Sequence, residues 1–326
     1  MQYRSIADMN DAIVHAMHRL PRDLDLVVGV PRSGMIAAQF IALLANIRLS
    51  DLDSYLAGRV YSSGATKAAG MRPDGQGARR VLVVDDSING GTAMAQARAR
   101  VEAANPGDEV IFGAVYGSKP HHPEADLVFE TVPWPRLFQW NFMHHKLLKN
   151  SCIDIDGVLC HDPTSAENDD GAAYLRFLSE ARPLYQMSRP LGTLVTSRLE
   201  KYRPQTESWL AAQGLRYDRL VMLDLPSKAE RQRLGAHGDF KGAQYRDSDA
   251  ILFIESENRQ AMRIAEVSGK PVLCLQTHRL IEPSQAAVVD AGLRDEARPA
   301  RRILKKAAYS LLGQRRMLKL KQRLGR

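Results

Sequence analysis

Cysteine is scarce in this chain. It has three, Cys152, Cys160 and Cys274, an odd number with no metal-type pairing, so neither a disulfide framework nor a zinc cluster is expected. Nothing near Met1 resembles a secretory leader, and a reducing cytoplasm is the expected compartment. Long apolar runs are missing as well. None reaches the roughly 18 to 20 residues that a membrane-spanning helix needs. There is no low-complexity stretch and no internal repeat. The last segment lacks acidic residues altogether: residues 298–326 hold eleven Lys or Arg and no Asp or Glu. Those eleven exceed the net charge of +8, leaving −3 for residues 1–297. The basic character belongs to the tail and not to the body, so nucleic acid is not an expected partner of the body.

What remains is ordinary globular material, 44% hydrophobic and 25% charged over 326 residues. That is more than one core usually accommodates, and two domains are expected. The first half alternates a helical stretch over 7–19, an apolar run over 24–30, a helix over 35–45, an apolar run over 80–84 and a helix from about Thr92 to Ala103. Strand-like runs follow at 109–116 and 125–130. A long polar, glycine-bearing stretch from Ser62 to Gly77 suggests a mobile loop. Alternation restarts at 151–155 and continues at 192–195, 219–223, 250–254 and 271–275. This order predicts an α/β chain of two doubly wound parallel sheets, with domains at 1–149 and 150–297, a basic tail at 298–326, and ligand sites at the carboxyl ends of strands.

Two loops in the first half carry anion-binding chemistry. The run 24–30 ends in Pro31-Arg32-Ser33-Gly34 and enters a helix, which aims main-chain N–H groups, a guanidinium and a hydroxyl at one point. The run from Val81 to Val84 ends in Asp85-Asp86-Ser87-Ile88-Asn89-Gly90-Gly91-Thr92. Its carboxylates suit ribose hydroxyls as acceptors, and its small-residue loop suits a phosphate. Val81 to Thr92 resembles the signature of the type I phosphoribosyltransferases. The resemblance implies that Asp85 and Asp86 hold the ribose of phosphoribosyl pyrophosphate, that Ser87, Asn89, Gly90, Gly91 and Thr92 hold its 5-phosphate, and that Arg32, Ser33 and Gly34 hold its pyrophosphate with Mg²⁺. Asn89-Gly90 departs from the commoner Thr-bearing loop. The polar stretch from Arg59 to Lys67 matches the family's closing loop. Trp134, Trp140 and Phe142 either stack on an acceptor or pack between the domains, and His144 and His145 are not assigned to the site.

The second half opens with Cys152-Ile153-Asp154-Ile155-Asp156-Gly157, an apolar strand ending in two carboxylates two residues apart and so on one side of the chain. One can attack phosphorus while the other moves a proton, and a cation must screen the anionic pair. The segment resembles the first motif of the haloacid dehalogenase phosphatases. The later motifs follow in order: Thr196 within Leu194 to Arg198, then Lys241 with Lys228 as the other candidate, then Glu255 where the family usually has Asp. The resemblance implies that Asp154 is the nucleophile, that Asp156 is the general acid and base and binds metal through its carbonyl, that Thr196 donates to the phosphoryl group, and that Asp154, Asp156 and Glu255 hold Mg²⁺.

In the tail, Ile303, Leu304, Ala307, Ala308, Leu311 and Leu312 recur at helical spacing among Arg and Lys. That amphipathic pattern suits an anionic membrane surface, with nucleic acid and plain solvation as the other readings. Taken together, the expectation is a bifunctional cytoplasmic enzyme, peripheral at the inner membrane face. It would transfer 5-phosphoribose from phosphoribosyl pyrophosphate to an acceptor, foremost a hydroxyl of a lipid-linked glycan, giving a β-ribofuranosyl unit, and then remove the 5-phosphate. A base or nucleotide acceptor, or a regulatory protein that only senses phosphoribosyl pyrophosphate, are the alternatives. A homodimer is left open.

Overall fold

A computed structural model gives the fold and describes residues 1–61, 78–104 and 106–284. The polar stretch 62–77 and the basic tail 298–326 lie outside the described residues. The chain divides into two compact units between His145 and Lys146. Lys149, where the boundary was expected, lies inside the 3₁₀ turn Lys146–Asn150, which leads directly into the first strand of the second unit.

In the first unit β1 (Gln2–Arg4), α1 (Ile6–Ala16), β2 (Leu26–Gly29), α2 (Gly34–Ala45), β3 (Arg48–Asp51) and α3 (Leu52–Leu56) precede β4 (Arg80–Ile88). Then come α4 (Thr92–Ala104), β5 (Glu109–Gly117), β6 (Leu127–Thr131) and β7 (Arg136–Phe138). Five strands form a sheet in the order β3-β2-β4-β5-β6, every neighbouring pair parallel. Helices cover both faces. Met9 and Ile13 of α1 and Ala38 and Ile41 of α2 pack against Val27, Leu82 and Val84 on one side. Tyr55 of α3 and Met94, Ala97 and Val101 of α4 pack against Val28, Val81 and Val83 on the other. A strand buried on both faces shows no polar alternation, which is why β2 and the first half of β4 read as continuous apolar runs. Each fully buried Val or Leu contributes roughly 1.5–3 kcal/mol. Helix α1 begins where Ser5 and Asp8 cap each other's main-chain N–H groups, a reciprocal arrangement that satisfies two donors the helix cannot.

The second unit contains β8 (Ser151–Ile153), α5 (Ala172–Glu180), β9 (Leu191–Leu199), α6 (Arg203–Ala212), β10 (Tyr217–Leu223) and α7 (Lys228–Leu234). These are followed by α8 (Ala236–Arg246), β11 (Leu252–Glu255), α9 (Asn258–Ser268), β12 (Val272–Cys274) and β13 (Arg279–Ile281). The sheet order is β10-β9-β8-β11-β12-β13. It is parallel except for β13, which pairs antiparallel with β12. Tyr245 of α8 and Ala261, Ile264 and Ala265 of α9 cover Cys152, Val195, Phe253 and Val272 on one face. Both units are therefore mixed α/β with parallel sheets.

Candidate functional sites

In the first unit, β2 and β4 run side by side with Gly29 opposite Val84, so the turn after β2 begins beside Asp85. Gly34 opens α2 against that strand. A Cβ there would stand 2.7 Å from the Val84 carbonyl oxygen and 3.0 Å from Asp85 Cα, so only glycine lets the helix start so close.

Strand β4 extends through the acidic pair to Ile88 instead of ending before it. Successive side chains on a strand face opposite ways, and the two carboxylates separate accordingly. Asp86 is 4% exposed. Its Oδ1 accepts from Ser33 Oγ at 2.8 Å and its Oδ2 from Trp140 Nε1 at 2.7 Å. Asp85 lines an open concavity of about 220 Å³ together with Ser87, Asn89, Gly90, Gly91 and Thr92. Burial, with Asp86 beside it, pushes the Asp85 carboxyl up to about 8. Both carboxylates were expected to face ribose; in this structure Asp85 lines the concavity, whereas Asp86 is hydrogen-bonded to Ser33 and Trp140. Ser33 likewise gives its hydroxyl to Asp86, and Arg32 is exposed at the turn.

The loop after β4 turns at Gly91, where φ is +79° and a Cβ would meet His122 Cε1 at 2.3 Å. Glycine is required there by both backbone and space. His122 Nδ1 accepts from Glu124 N at 3.1 Å, and its Nε2 stands 3.0 Å from that Cβ position. No sequence signal singled this histidine out. The loop's root is held by buried Arg136, which donates to the carbonyls of Val132 and Ile88 at 3.0 and 2.9 Å.

The aromatic segment is explained in part by Asp86. Tyr116, Phe138 and Trp140 stack, with Phe138 and Trp140 centroids 4.8 Å apart and nearly parallel. Trp140 packs on the first unit's own core and hands its N–H to Asp86. Phe142 is buried, and Trp134 is exposed with its ring 5.7 Å from that of His145.

The second unit gathers Asp154, Asp156, Thr196 and Lys241 around one cavity of about 260 Å³. Lys241 is 2% exposed and donates to Asp154 Oδ2 at 2.6 Å, Glu255 Oε2 at 2.8 Å and Gln260 Oε1 at 3.0 Å. Burial works against its charge, but Asp154 and Glu255 outweigh it and hold the ammonium above its ordinary range. Burial pushes the Asp154 carboxyl upward, opposed by Lys241. Among the described residues, Asp154 Oδ1 accepts from Ile155 N alone, at 2.8 Å. Lys228, the other candidate lysine, is bound to the Asn168 carbonyl instead.

Glu255 does different work from that expected. It is fully buried, and Oε1 accepts from Ser256 N and Glu257 N at 2.8 and 3.1 Å while Oε2 takes Lys241. It does not line the cavity, where it was expected to hold metal, and in this structure it holds the lysine and the loop. Asp162, missed by the sequence reading, does line the cavity, and burial raises its carboxyl. No group of three or more His, Cys, Asp or Glu placed to hold a metal occurs among the described residues. Mg²⁺ nonetheless commonly takes only one or two carboxylates, with carbonyls and water completing its shell. The hard oxygen donors Asp154 Oδ1, the Asp156 carbonyl and Asp162 fit that description.

Asp156 carries an unexpected partner. Arg198, 1% exposed, donates from Nε at 3.2 and 3.1 Å to the two carboxylate oxygens and from Nη2 at 2.6 Å to Oδ1. Burial disfavours the guanidinium charge, and Asp156 more than compensates. The arginine sits two residues after Thr196, whose Oγ1 accepts the Arg198 N–H at 3.2 Å.

No family model and no curated protein matches the chain. Solved structures do, over its N-terminal part. A purine phosphoribosyltransferase from Pyrococcus horikoshii Ot3 is 18% identical, with 43% of this chain and 92% of that one covered and a TM-score of 0.29. The xanthine-guanine-hypoxanthine phosphoribosyltransferase of Helicobacter pylori is 14% identical, covering 43% and 93%, with a TM-score of 0.31. The adenine phosphoribosyltransferase of Saccharomyces cerevisiae is 19% identical, covering 34% and 68%, with a TM-score of 0.24.

Proposed function

We propose that the chain is a bifunctional enzyme that transfers 5-phosphoribose from phosphoribosyl pyrophosphate to an acceptor hydroxyl and then removes the 5-phosphate. The observation that carries this reading is the second cavity: Asp154 and Asp156, Thr196 and Lys241, from three separate stretches of the sequence, line it together. The first unit supports it with Asp85 and the 87–92 loop around one concavity.

In the first site, Ser87, Asn89, Gly90, Gly91 and Thr92 bind the 5-phosphate and Asp85 accepts hydrogen bonds from ribose hydroxyls. Arg32 and the start of α2 receive the pyrophosphate, which departs with the bonding pair as the acceptor oxygen joins C1 and loses its proton. Inversion at the α-configured donor gives a β-ribofuranosyl product that still carries its phosphate. In the second site Asp154 Oδ1 attacks phosphorus, the ribose 5-oxygen leaves with a proton from Asp156, and water then releases orthophosphate with Asp156 as base. Thr196 donates to the phosphoryl group, and Lys241 fixes the nucleophile. When bound, Mg²⁺ at Asp154, the Asp156 carbonyl and Asp162 would screen the approach of carboxylate to phosphate.

No helix among the described residues is long and apolar enough to cross a membrane. We assign the basic residues of 298–326 to an anionic membrane surface, where a lipid-linked glycan acceptor would be presented. The reading is tested by Mg²⁺-dependent pyrophosphate release from phosphoribosyl pyrophosphate, with a lipid-linked glycan fraction and with purine and pyrimidine bases as acceptors. Release with bases alone would transfer the enzyme to nucleotide chemistry. No release with any acceptor would defeat the transferase reading.

A further inference from the structure

Charge around the second cavity is unevenly matched. Two cations, Lys241 and Arg198, are committed to three carboxylates, Asp154, Glu255 and Asp156. A phosphate dianion arriving in front of Asp154 therefore meets a surplus of negative charge from the groups already paired.

Among the described residues that line the cavity, one cation is left over. Arg231, on α7, is 8% exposed and lines the same cavity. Its Nη1 donates to the Ser197 carbonyl at 2.8 Å, but its Nε is buried without a hydrogen-bond partner, and it has no carboxylate partner among the described residues. Beside it Ser197 Oγ, on a residue 7% exposed, is also buried and unpartnered, and Ser197 lines the cavity too. A guanidinium cannot shed its proton to escape burial. A buried cation and two idle donors are costly unless something brings acceptor oxygens to them. His237, on the same wall, does not compete for an anion at neutral pH: burial, with Arg231 and Lys241 nearby, pushes it down to about 4, so its ring is neutral.

We propose that Arg231 and Ser197 Oγ grip the phosphoryl oxygens of a phosphomonoester seated before Asp154. Arg231 supplies the positive charge that Lys241 and Arg198 have already committed. A guanidinium presents its N–H groups in a planar fork that matches two phosphoryl oxygens. The identity of the ester rests on the phosphatase reading above; the anion itself does not.

The test titrates inorganic phosphate into the full chain in Mg²⁺ buffer by calorimetry, for the wild type, Arg231→Gln, Arg231→Lys and Ser197→Ala. Phosphate bound at the 87–92 loop is common to all four, so the difference between isotherms reads the Arg231 site. Arg231→Gln should weaken or remove one binding event by about tenfold or more, Arg231→Lys by less, and Ser197→Ala by about threefold. Should Arg231→Gln fail to fold, Ser197→Ala decides. Wild-type phosphate binding in the folded Arg231→Gln or in Ser197→Ala would overturn the inference. Arg231-dependent phosphate binding without hydrolysis of any phosphomonoester would leave the inference standing while the phosphatase reading fell.

Discussion

Arg198 and Asp156 form a buried pair in which one guanidinium reaches both oxygens of one carboxylate, at 2.6 to 3.2 Å. The arginine side chain is fully enclosed and the aspartate side chain 20% exposed. The pair fixes the direction in which Asp156 faces the cavity. Thr206 Oγ1, 3.4 Å from Nη1, and Cys160 Sγ, 3.3 Å from Nη2, steady the far side of the guanidinium.

Removing the arginine leaves the Asp156 charge without its partner; with that side chain 20% exposed at the cavity, the cost falls below the about 3–5 kcal/mol of a fully buried charge. Arg198→Met should therefore lower the urea midpoint of the second unit, and Arg198→Met with Asp156→Asn should recover part of the loss. A double variant no more stable than the single one would show that the pairing is not what the arginine contributes.

The two first-site carboxylates should respond oppositely to substitution. Asp86→Ala strands the Trp140 and Ser33 donors and should cost about 1–3 kcal/mol in urea unfolding. Asp85→Asn should leave stability nearly intact at neutral pH and weaken binding of phosphoribosyl pyrophosphate. The same effect from both would mean that they are not divided between fold and ligand.

Asp85 also sets a pH dependence. Its folded value of about 8 lies above its ordinary value of 3.8, so between the two the folded chain holds a proton that the unfolded chain has released. Stability attributable to this group falls as pH rises through that window. Affinity for ribose hydroxyls moves the other way, because the ionised carboxylate is the better acceptor. Binding of phosphoribosyl pyrophosphate should tighten from about pH 7 to about pH 9, one unit either side of the raised value, and Asp85→Asn should flatten this dependence in calorimetric titrations.

The candidate site residues were legible in sequence to the extent that chemistry and position coincide on a short stretch. The apolar runs ending in Asp85 and Asp154 stood out because strands buried on both faces have no polar interruption. Strands as short as Arg48–Asp51 and Arg279–Ile281 left no such trace. Partnerships over long separations were also hidden. Nothing in the local sequence says that Trp140 serves Asp86, that Glu255 faces Lys241, or that Arg231 arrives beside Ser197. Each follows from helix and strand placement. The split of Asp85 from Asp86 was foreseeable only once β4 was known to run through both.

The tail can be tested apart from either site. Deleting residues 298–326 should release the chain from anionic vesicles without lowering either activity on a small soluble acceptor. Binding of the full chain should weaken with salt, since exposed charges are screened over about 8–10 Å at physiological ionic strength. Equal cosedimentation of both forms, or preference for RNA over vesicles, would contradict the membrane assignment.

The central claim is that one chain adds phosphoribose and then strips its phosphate at a second site. Mass spectrometry of the acceptor after incubation with phosphoribosyl pyrophosphate and Mg²⁺, with wild type and Asp154→Asn in parallel, tests it most directly. The account predicts undiminished pyrophosphate release by the variant, with an acceptor carrying a phosphoribosyl unit where the wild type leaves a ribosyl unit. Identical products from both proteins, or loss of pyrophosphate release in a folded Asp154→Asn, would contradict it.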